Sequence, residues 1–147
     1  MKKKVIALKG ISNRGKTWTV KKAYELLISK YKDATIDKYP EPILRKDIRV
    51  VLTIKGVKIG IESQGDPNGR LVKEPNSLSV FVDVGCRVII CATRTKWATF
   101  DAVNALSQKN YDVIWFEQEE KEPAEREQSN LMMANKLVSE AEEIIGG

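Results

Sequence analysis

The stretch Gly10-Ile11-Ser12-Asn13-Arg14-Gly15-Lys16-Thr17 decides how the rest of the chain is expected to fold. Just before it, Val5-Ile6-Ala7-Leu8 is a short apolar run, which is typical of a buried parallel strand. After it, apolar residues recur at helical spacing from Val20 to Ile28, and this spacing predicts a helix that extends through Tyr31. Strand, glycine-containing loop and helix therefore follow one another in the order that an anion-binding loop requires.

The spacing G-x-x-x-x-G-K-T gives the residues of this loop distinct chemical roles. The two glycines, Gly10 and Gly15, let the backbone turn its N–H groups inward, and the helix N-terminus adds partial positive charge. Lys16 would then reach the β- and γ-phosphates of a nucleotide, and the Thr17 hydroxyl would bind Mg²⁺. The predicted nucleotide-binding residues are Gly10, Ser12, Asn13, Arg14, Gly15, Lys16, Thr17 and Trp18.

These residues match the phosphate-binding loop known as Walker A, and the chain resembles the P-loop NTPases from residue 4 to about residue 118. The alternative interpretation is an ordinary strand, turn and helix that match the motif by chance. The amphipathic helix and the preceding strand favour phosphate binding, since the motif's mechanism needs both.

The chain has 147 residues, the size of one domain, so residues 1–147 are predicted to form a single domain. With 42% hydrophobic and 31% charged residues, the composition is that of a soluble globular protein. The start of the chain does not resemble a signal peptide, because the apolar run Val5–Leu8 is short and Lys9 interrupts it. The sequence therefore predicts a cytoplasmic protein without a membrane segment.

Charge is distributed unevenly along the chain. Residues 1–50 carry 14 Lys or Arg and 5 acidic residues, whereas residues 117–147 carry 3 basic and 9 acidic ones. A basic front half could bind nucleic acid or attract nucleotide phosphates. Because aromatic residues are not interleaved with the basic ones, nucleotide is the favoured partner and nucleic acid the less favoured one. A protein or small-molecule acceptor is a further expected partner that the sequence does not identify.

The chain contains two cysteines, Cys86 and Cys91, and no histidine. Both lie on one predicted strand, where five residues of extended chain hold them too far apart to form a disulfide. Buried, reduced thiols are therefore expected, and the absence of histidine argues against a zinc site or a histidine base.

Two β-branched runs, Ile48–Ile54 and Val57–Ile61, are separated by Lys55-Gly56 and predict an antiparallel hairpin. The second run ends in acidic residues, of which Glu62 is the first candidate and Asp66 the second for orienting Mg²⁺ or the attacking water. An ordinary polar turn is the alternative.

The hairpin also resembles that of the small GTPases, where it leads into an Asp-x-x-Gly segment; here Glu62-x-x-Gly65 stands in that place. Guanine specificity in that family depends on an Asn-Lys-x-Asp segment. Neither Thr95–Ala98 nor Phe116–Glu119 supplies it, so ATP is favoured over GTP.

Arg94 follows the predicted strand Arg87–Ala92, at the edge where ligands of open α/β sheets bind. It could stabilise a transferred phosphoryl group, hold a phosphate or bind an acidic substrate. A helix cap formed by Thr95 with solvated charges around it explains the same residues equally well. The polar residues 33–46 are expected to form a loop facing a substrate.

Further helices are predicted in the second half of residues 68–85, at 97–109 and at about 124–145. The last of these is expected to bury an apolar face formed by Leu131, Ala134, Leu137, Val138, Ala141 and Ile145. A last strand, also buried, is predicted at Tyr111–Phe116. Together these elements predict a three-layer α/β/α P-loop NTPase fold with a mostly parallel five-stranded sheet and one antiparallel edge strand. The small-GTPase resemblance implies the strand order 2-3-1-4-5, with strands numbered along the chain.

The predicted function is binding of a nucleoside triphosphate with Mg²⁺-dependent hydrolysis, in which Lys16, Glu62 and Arg94 are the catalytic candidates and Thr17, Glu62 and Asp66 the metal candidates. Two alternatives stay open: a small kinase that transfers the γ-phosphoryl group, and a nucleotide-dependent switch without fast turnover.

Overall fold

The computed structural model describes residues 2–10, 16–39, 47–63, 71, 76–93, 97–118 and 121–146. These residues form six strands and four α-helices, with one 3₁₀ turn at Leu106–Lys109. In chain order the elements are β1 (Lys4–Lys9), α1 (Lys16–Lys30), β2 (Thr35–Lys38), β3 (Arg49–Ile54), β4 (Val57–Glu62), α2 (Ser77–Asp83), β5 (Val88–Thr93), α3 (Trp97–Ala105), β6 (Asp112–Glu117) and α4 (Pro123–Ile145).

The strands form one mixed sheet in the order β2-β3-β4-β5-β1-β6. The predicted strand order is wrong, because it placed β1 beside β4, whereas β5 lies between them and pairs in parallel with both. All six residues of β5 are buried, as expected for a parallel strand covered on both faces, while β6 is only half-buried and occupies an edge. The prediction of a buried strand at β6 was therefore wrong.

The described part of the sheet has six strands rather than the predicted five. Residues 35–38 of the predicted loop form β2, which pairs with β3 and is held by the Thr53 hydroxyl donating to Asp37. All four residues of β2 are exposed, so no hydrophobic alternation marks this strand in the sequence. Because β2 takes the edge, the antiparallel strand β3 lies second from the edge rather than at it.

Helices cover both faces of the sheet, and the expected three layers are present. Helices α1 and α4 pack with each other and with alternate residues of the strands, such as Ile6 and Ile61, on one face. On the other face α2 and α3 pack on the intervening residues, such as Val5 and Ile89. The predicted apolar face of α4 is buried from Ala134 to Ile145, whereas Leu131, which was expected on it, is 37% exposed.

A close contact between α2 and the sheet depends on a glycine. A Cβ atom on Gly60 would lie less than 3.0 Å from three ring atoms of Phe81. The helix begins after the side-chain cap of Asn76, whose Oδ1 accepts from the Ser79 N–H at 2.7 Å, and Gly85 follows its end with φ of 87°. A hydrogen bond from the Ser77 hydroxyl to Glu62 places the start of α2 beside the carboxyl end of β4.

Ion pairs fix α4 against β1 and α1. The buried Lys4 amine contacts Glu140 at 3.0 Å and Glu143 at 2.6 Å, and Glu142 accepts from both Tyr31 and Lys30 at 2.5 Å. These pairs hold the amino-terminal half of the sheet, away from the carboxyl ends of its strands. Within the described ranges, none of the helices combines the length and apolar character that crossing a membrane requires.

Candidate phosphate-binding site

Lys16 lies at the carboxyl ends of two neighbouring parallel strands. Its side chain is 8% exposed, and its amine donates to the carbonyl oxygens of Gly10 at 2.5 Å and Thr93 at 2.6 Å. Gly10 follows β1 and lies 6 residues from Lys16 along the chain, whereas Thr93 ends β5 and lies 77 residues away. The fold brings both carbonyl groups to the Lys16 amine. The result is a cation held at the start of α1, where the helix N-terminus also attracts anions.

Gly10 allows the chain to pass close to its neighbours at this point. A Cβ atom there would lie 3.2 Å from the carbonyl oxygen of Gln118 and 3.6 Å from Cδ of Lys16. The Gly10 N–H donates to the Thr93 carbonyl at 3.2 Å, which extends the β1–β5 pairing past the end of the strand. A side chain at this position would therefore crowd the Gln118 carbonyl, while its contact with Lys16 would be of ordinary van der Waals length.

A buried polar network that sequence reasoning missed holds the first turn of α1 from one side. The Thr19 hydroxyl donates to Oε1 of Gln118 at 3.1 Å, and Nε2 of Gln118 donates to Oδ1 of Asn130 at 2.6 Å. All three residues are at most 5% exposed. The signal was available in α4, because Asn130 is a polar residue at helical spacing from the buried Ala134 and Leu137.

A second polar group, in which sequence reasoning missed Asp47, holds the same turn of α1 from the hairpin side. Oδ1 of Asp47 accepts from the hydroxyls of Thr17 at 3.4 Å and Ser63 at 3.1 Å. Ser63 is fixed in turn, since its N–H donates to the Ile48 carbonyl at 2.9 Å and its Oγ accepts from the Ile48 N–H at 2.8 Å. The side chains of Asp47 and Ser63 thus lie on the side of Thr17, the residue predicted to bind Mg²⁺. We call Thr17, Asp47 and Ser63 the hydroxyl–carboxylate group.

Glu62 ends β4 as predicted, but its carboxylate faces the α2 side of the sheet. It is fully buried, and its Oε1 accepts from the Ser77 hydroxyl at 2.6 Å. The neighbouring Ile61 packs on the α1 side, as the alternation of a strand requires. The register aligns Glu62 with Cys91 of β5 and, through it, with Ala7 of β1. Thr93, whose carbonyl accepts from Lys16, lies two residues further along β5 than Cys91. Glu62 is therefore two residues further from the carboxyl ends of the strands than this contact.

The remaining predicted site residues divide between those that the structure places and those that it does not describe. Trp18 lies in the first turn of α1 and is 40% exposed. The predicted positions outside the described residues are Ser12, Asn13, Arg14, Gly15, Asp66 and Arg94. Of the segment 93–96, Thr93 is described, and its carbonyl is a direct partner of Lys16.

A groove of about 590 Å³ lies between the exposed edge of β6 and the amino-terminal half of α4. Its lining includes Phe116, Gln118, Ser129, Met132 and Met133. Gln118 thus belongs both to this groove and to the network that holds α1. A ligand in the groove would lie next to a residue that positions the Lys16 segment.

The two cysteines are reduced and buried, as the sequence analysis predicted. Burial raises the pKa of the Cys86 thiol to about 12 and also raises the pKa of Cys91. Both thiols therefore stay protonated at neutral pH. Among the described residues, no three Cys, Asp or Glu side chains come together as a metal-binding group.

Comparison of the chain with protein-family models, with curated proteins and with solved structures finds no match.

Proposed function

We propose that this chain binds a nucleoside triphosphate, with ATP favoured, and hydrolyses its γ-phosphate in the presence of Mg²⁺. The observation that carries the proposal is the position of the Lys16 amine, which lies at the start of α1 between the carboxyl ends of β1 and β5. Carboxyl ends of parallel strands and helix N-termini are where α/β proteins bind phosphates. The glycine spacing of residues 10–17 adds backbone N–H donors of the type that surround a phosphate.

In this proposal Lys16 exchanges partners when the nucleotide binds. Its amine now satisfies two backbone carbonyls, and phosphate oxygens would take over some of these hydrogen bonds with the advantage of opposite charge. Because the side chain is already buried and ordered, little conformational entropy is lost on binding. The amine would then stabilise the negative charge that shifts between the β- and γ-phosphates during transfer.

The hydroxyl–carboxylate group fits Mg²⁺ in its chemistry. Mg²⁺ prefers hard oxygen ligands and keeps several of its waters, and this group presents two hydroxyls and one carboxylate. Thr17 would hold the ion together with the phosphates. The bound ion would supply charge neutralisation of the triphosphate.

Glu62 is proposed to position the attacking water. Its burial and its hydrogen bond from Ser77 would hold the carboxylate in one orientation, which a general base or water-orienting group needs. Arg94 and Asp66 keep their predicted roles as proposals: Arg94 on the transferred phosphoryl group and Asp66 as the second acidic candidate.

A nucleotide-dependent switch is the second candidate, and a specific contact favours it. Asp47 directly follows residues 40–46, Ser63 directly precedes residues 64–70, and the two side chains share a hydrogen bond at 3.1 Å. A ligand that changes the bonding of Thr17 would therefore act on both of these segments through one carboxylate. A partner that reads either segment would then sense the bound nucleotide.

The test is a pair of measurements on Lys16→Ala: thermal stabilisation by ATP or GTP with Mg²⁺, and phosphate release from each. We expect wild type to be stabilised, and the variant to lose both stabilisation and turnover while its circular dichroism stays native. Lys22→Ala is the matched control, because Lys22 lies on the same helix and pairs at 3.7 Å with Glu25 on its surface.

If nucleotide still stabilises Lys16→Ala against thermal unfolding, the assignment of the phosphate site would be overturned. Glu62→Gln separates hydrolysis from binding, since it should bind nucleotide and lose turnover. Turnover that persists in Glu62→Gln would move the water-positioning role to another residue. Stabilisation of wild type without phosphate release would favour the switch.

A further inference from the structure

We infer that Asp47 is the carboxylate that faces Mg²⁺ in the nucleotide complex, in place of the Glu62 expected from the sequence. This inference rests on the proposed function, because it concerns the ion that accompanies the triphosphate. Sequence reasoning gave Asp47 no role. The structure joins it directly to Thr17, which is the metal-binding hydroxyl of the proposed site.

The contacts of Asp47 support this role from two directions. Its Oδ1 accepts from the Thr17 hydroxyl at 3.4 Å, a long hydrogen bond across a half-buried space. The same oxygen accepts from the hydroxyl of Ser63, which is 2% exposed and locked to the Ile48 backbone. A rigid residue therefore aims the carboxylate at the first turn of α1.

Glu62 and Asp47 differ in the face of the sheet on which they lie. The Glu62 carboxylate faces α2 and accepts from Ser77, whereas Asp47 contacts Thr17 on α1. Helix α1 covers the opposite face from α2. A carboxylate that serves the ion held by Thr17 has to lie on the α1 side, and Asp47 fulfils this condition through a direct contact.

Asp47 would act mainly on charge and on water. Its negative charge lowers the free energy of a divalent cation nearby and raises that of the negatively charged triphosphate. Its oxygens can accept hydrogen bonds from the waters that Mg²⁺ keeps. The two effects have opposite signs for nucleotide binding with and without the metal, and this difference provides the test.

The experiment measures the shift in melting temperature caused by ATP, across a Mg²⁺ titration and in excess EDTA, for wild type and Asp47→Asn. With Mg²⁺, we expect the variant to need about 10- to 100-fold more of the ion for the half-maximal shift, as when other partners of a metal site are removed. In EDTA, the variant should bind ATP at least as tightly as wild type, because one charge that repels the phosphates is gone. A purely structural defect would weaken binding under both conditions.

Two control variants define the comparison. Asp112→Asn makes the same chemical change at an exposed position at the amino end of β6, and it should leave the Mg²⁺ titration unchanged. Glu62→Gln should also keep the wild-type Mg²⁺ dependence.

If Asp47→Asn does not fold, Asp47→Glu retains the charge on a longer side chain, and its Mg²⁺ midpoint should still move away from that of wild type. Electron paramagnetic resonance of Mn²⁺ added with ATP gives a second readout, in which Asp47→Asn should leave more of the ion free.

The outcomes separate this inference from the function on which it rests. If Asp47→Asn keeps the Mg²⁺ dependence of wild type, or if Glu62→Gln loses it instead, the role of Asp47 would be overturned. Nucleotide binding would be left intact by either result. No stabilisation of wild type by ATP or GTP under any condition would overturn the proposed function and, with it, this inference.

Discussion

The first turn of α1 is held from two sides by groups of different chemistry. On the β6 and α4 side, the Thr19 hydroxyl donates to the neutral, buried amide of Gln118, which in turn donates to Asn130. On the hairpin side, Thr17 bonds to the half-buried carboxylate of Asp47, which Ser63 supports. One side therefore carries no charge and excludes water, while the other carries a charge and is open to it.

The difference indicates that the two sides have different roles around Lys16. Neutral hydrogen bonds in a dry interior cost much to break and do not respond to ions, so they suit the task of fixing a position. A half-buried carboxylate contributes less to stability, and its energy changes strongly when a cation binds nearby. Substitutions on the amide side should therefore mainly change folding stability, and those on the carboxylate side mainly the response to Mg²⁺ and nucleotide.

The largest expected effect on stability comes from Gln118→Leu. The change removes the acceptor of the Thr19 hydroxyl and the donor to Asn130 in a buried site, and we expect the free energy of unfolding to fall by about 3 kcal/mol. The free energy of unfolding is measured by urea denaturation, with tryptophan fluorescence as the signal. Gln128→Leu, at an exposed position of α4, should change stability by no more than about 0.5 kcal/mol.

A triple variant sharpens this prediction. Combining Thr19→Val, Gln118→Leu and Asn130→Leu removes every member of the network, and it should recover most of the lost stability because no unpaired partner remains among them. If Gln118→Leu costs no more than Gln128→Leu, the amide network does not fix α1, and the comparison between the two sides fails.

Ser63→Ala should have an intermediate effect, of about 1–2 kcal/mol in the absence of nucleotide. The buried Ile48 N–H loses its acceptor, and Asp47 loses one donor while keeping the hydrogen bond from Thr17. Chemical denaturation gives the stability, and the Mg²⁺ titration described above gives the metal response. Ser107→Ala, at an exposed position of the 3₁₀ turn, is the control.

The comparison predicts a second consequence of Ser63→Ala. Because Ser63 aims the Asp47 carboxylate, the Mg²⁺ midpoint should rise, though by less than in Asp47→Asn. A normal Mg²⁺ midpoint in Ser63→Ala would show that the carboxylate reaches the ion without its support.

The smallest effect concerns Tyr111, which precedes β6 at the amino ends of the parallel strands. Because the candidate site lies at the carboxyl ends, this residue supplies a baseline. Burial raises the pKa of its phenol from 10.0 to about 12, and the hydroxyl donates to the Cys86 carbonyl. Because the folded state favours the neutral phenol, this contribution to stability is complete below pH 10 and is lost as the pH rises toward 12. Tyr111→Phe should cost about 1 kcal/mol at pH 8.

The measurement is the free energy of unfolding of both proteins from pH 8 to pH 12. The gap between wild type and Tyr111→Phe should narrow above pH 10, and the nucleotide response at pH 8 should be the same in both. A gap that stays constant across this range would contradict the raised pKa, and a changed nucleotide response would show that the amino and carboxyl ends of the strands are coupled.

Much of the fold could be predicted from local patterns. Helix α1 buries Val20, Ala23, Tyr24 and Leu27, as their spacing predicted, and the hairpin turns at Lys55-Gly56, where both residues have positive φ. Local patterns do not give the strand order, which was therefore taken from a resemblance and was wrong. The complete burial of β5, which places it in the middle of the sheet, becomes clear once the helices on both faces are in place.

The candidate site was predicted in part. Lys16 and Thr17 lie at the start of α1, where the sequence placed them, because the glycine spacing and the following helix lie within a single stretch of sequence. Asp47 was missed because one acid before a strand has no distinguishing pattern, and Gln118 because a polar residue after a strand is common. Glu62 was found as an acid at a strand end, yet the pattern did not show which face of the sheet its carboxylate would take.

The sequence by itself determined β1 and α1, which form one unit in the chain, because the signals of both elements are interactions between near neighbours. Glycine positions set the backbone conformations that are allowed, and the period of apolar residues sets the buried face of the helix. Only the tertiary structure decided which side chains meet that unit. The Thr17–Asp47 and Thr19–Gln118 hydrogen bonds join residues 30 and 99 positions apart, and such contacts depend on how strands and helices pack around a shared core rather than on any local preference.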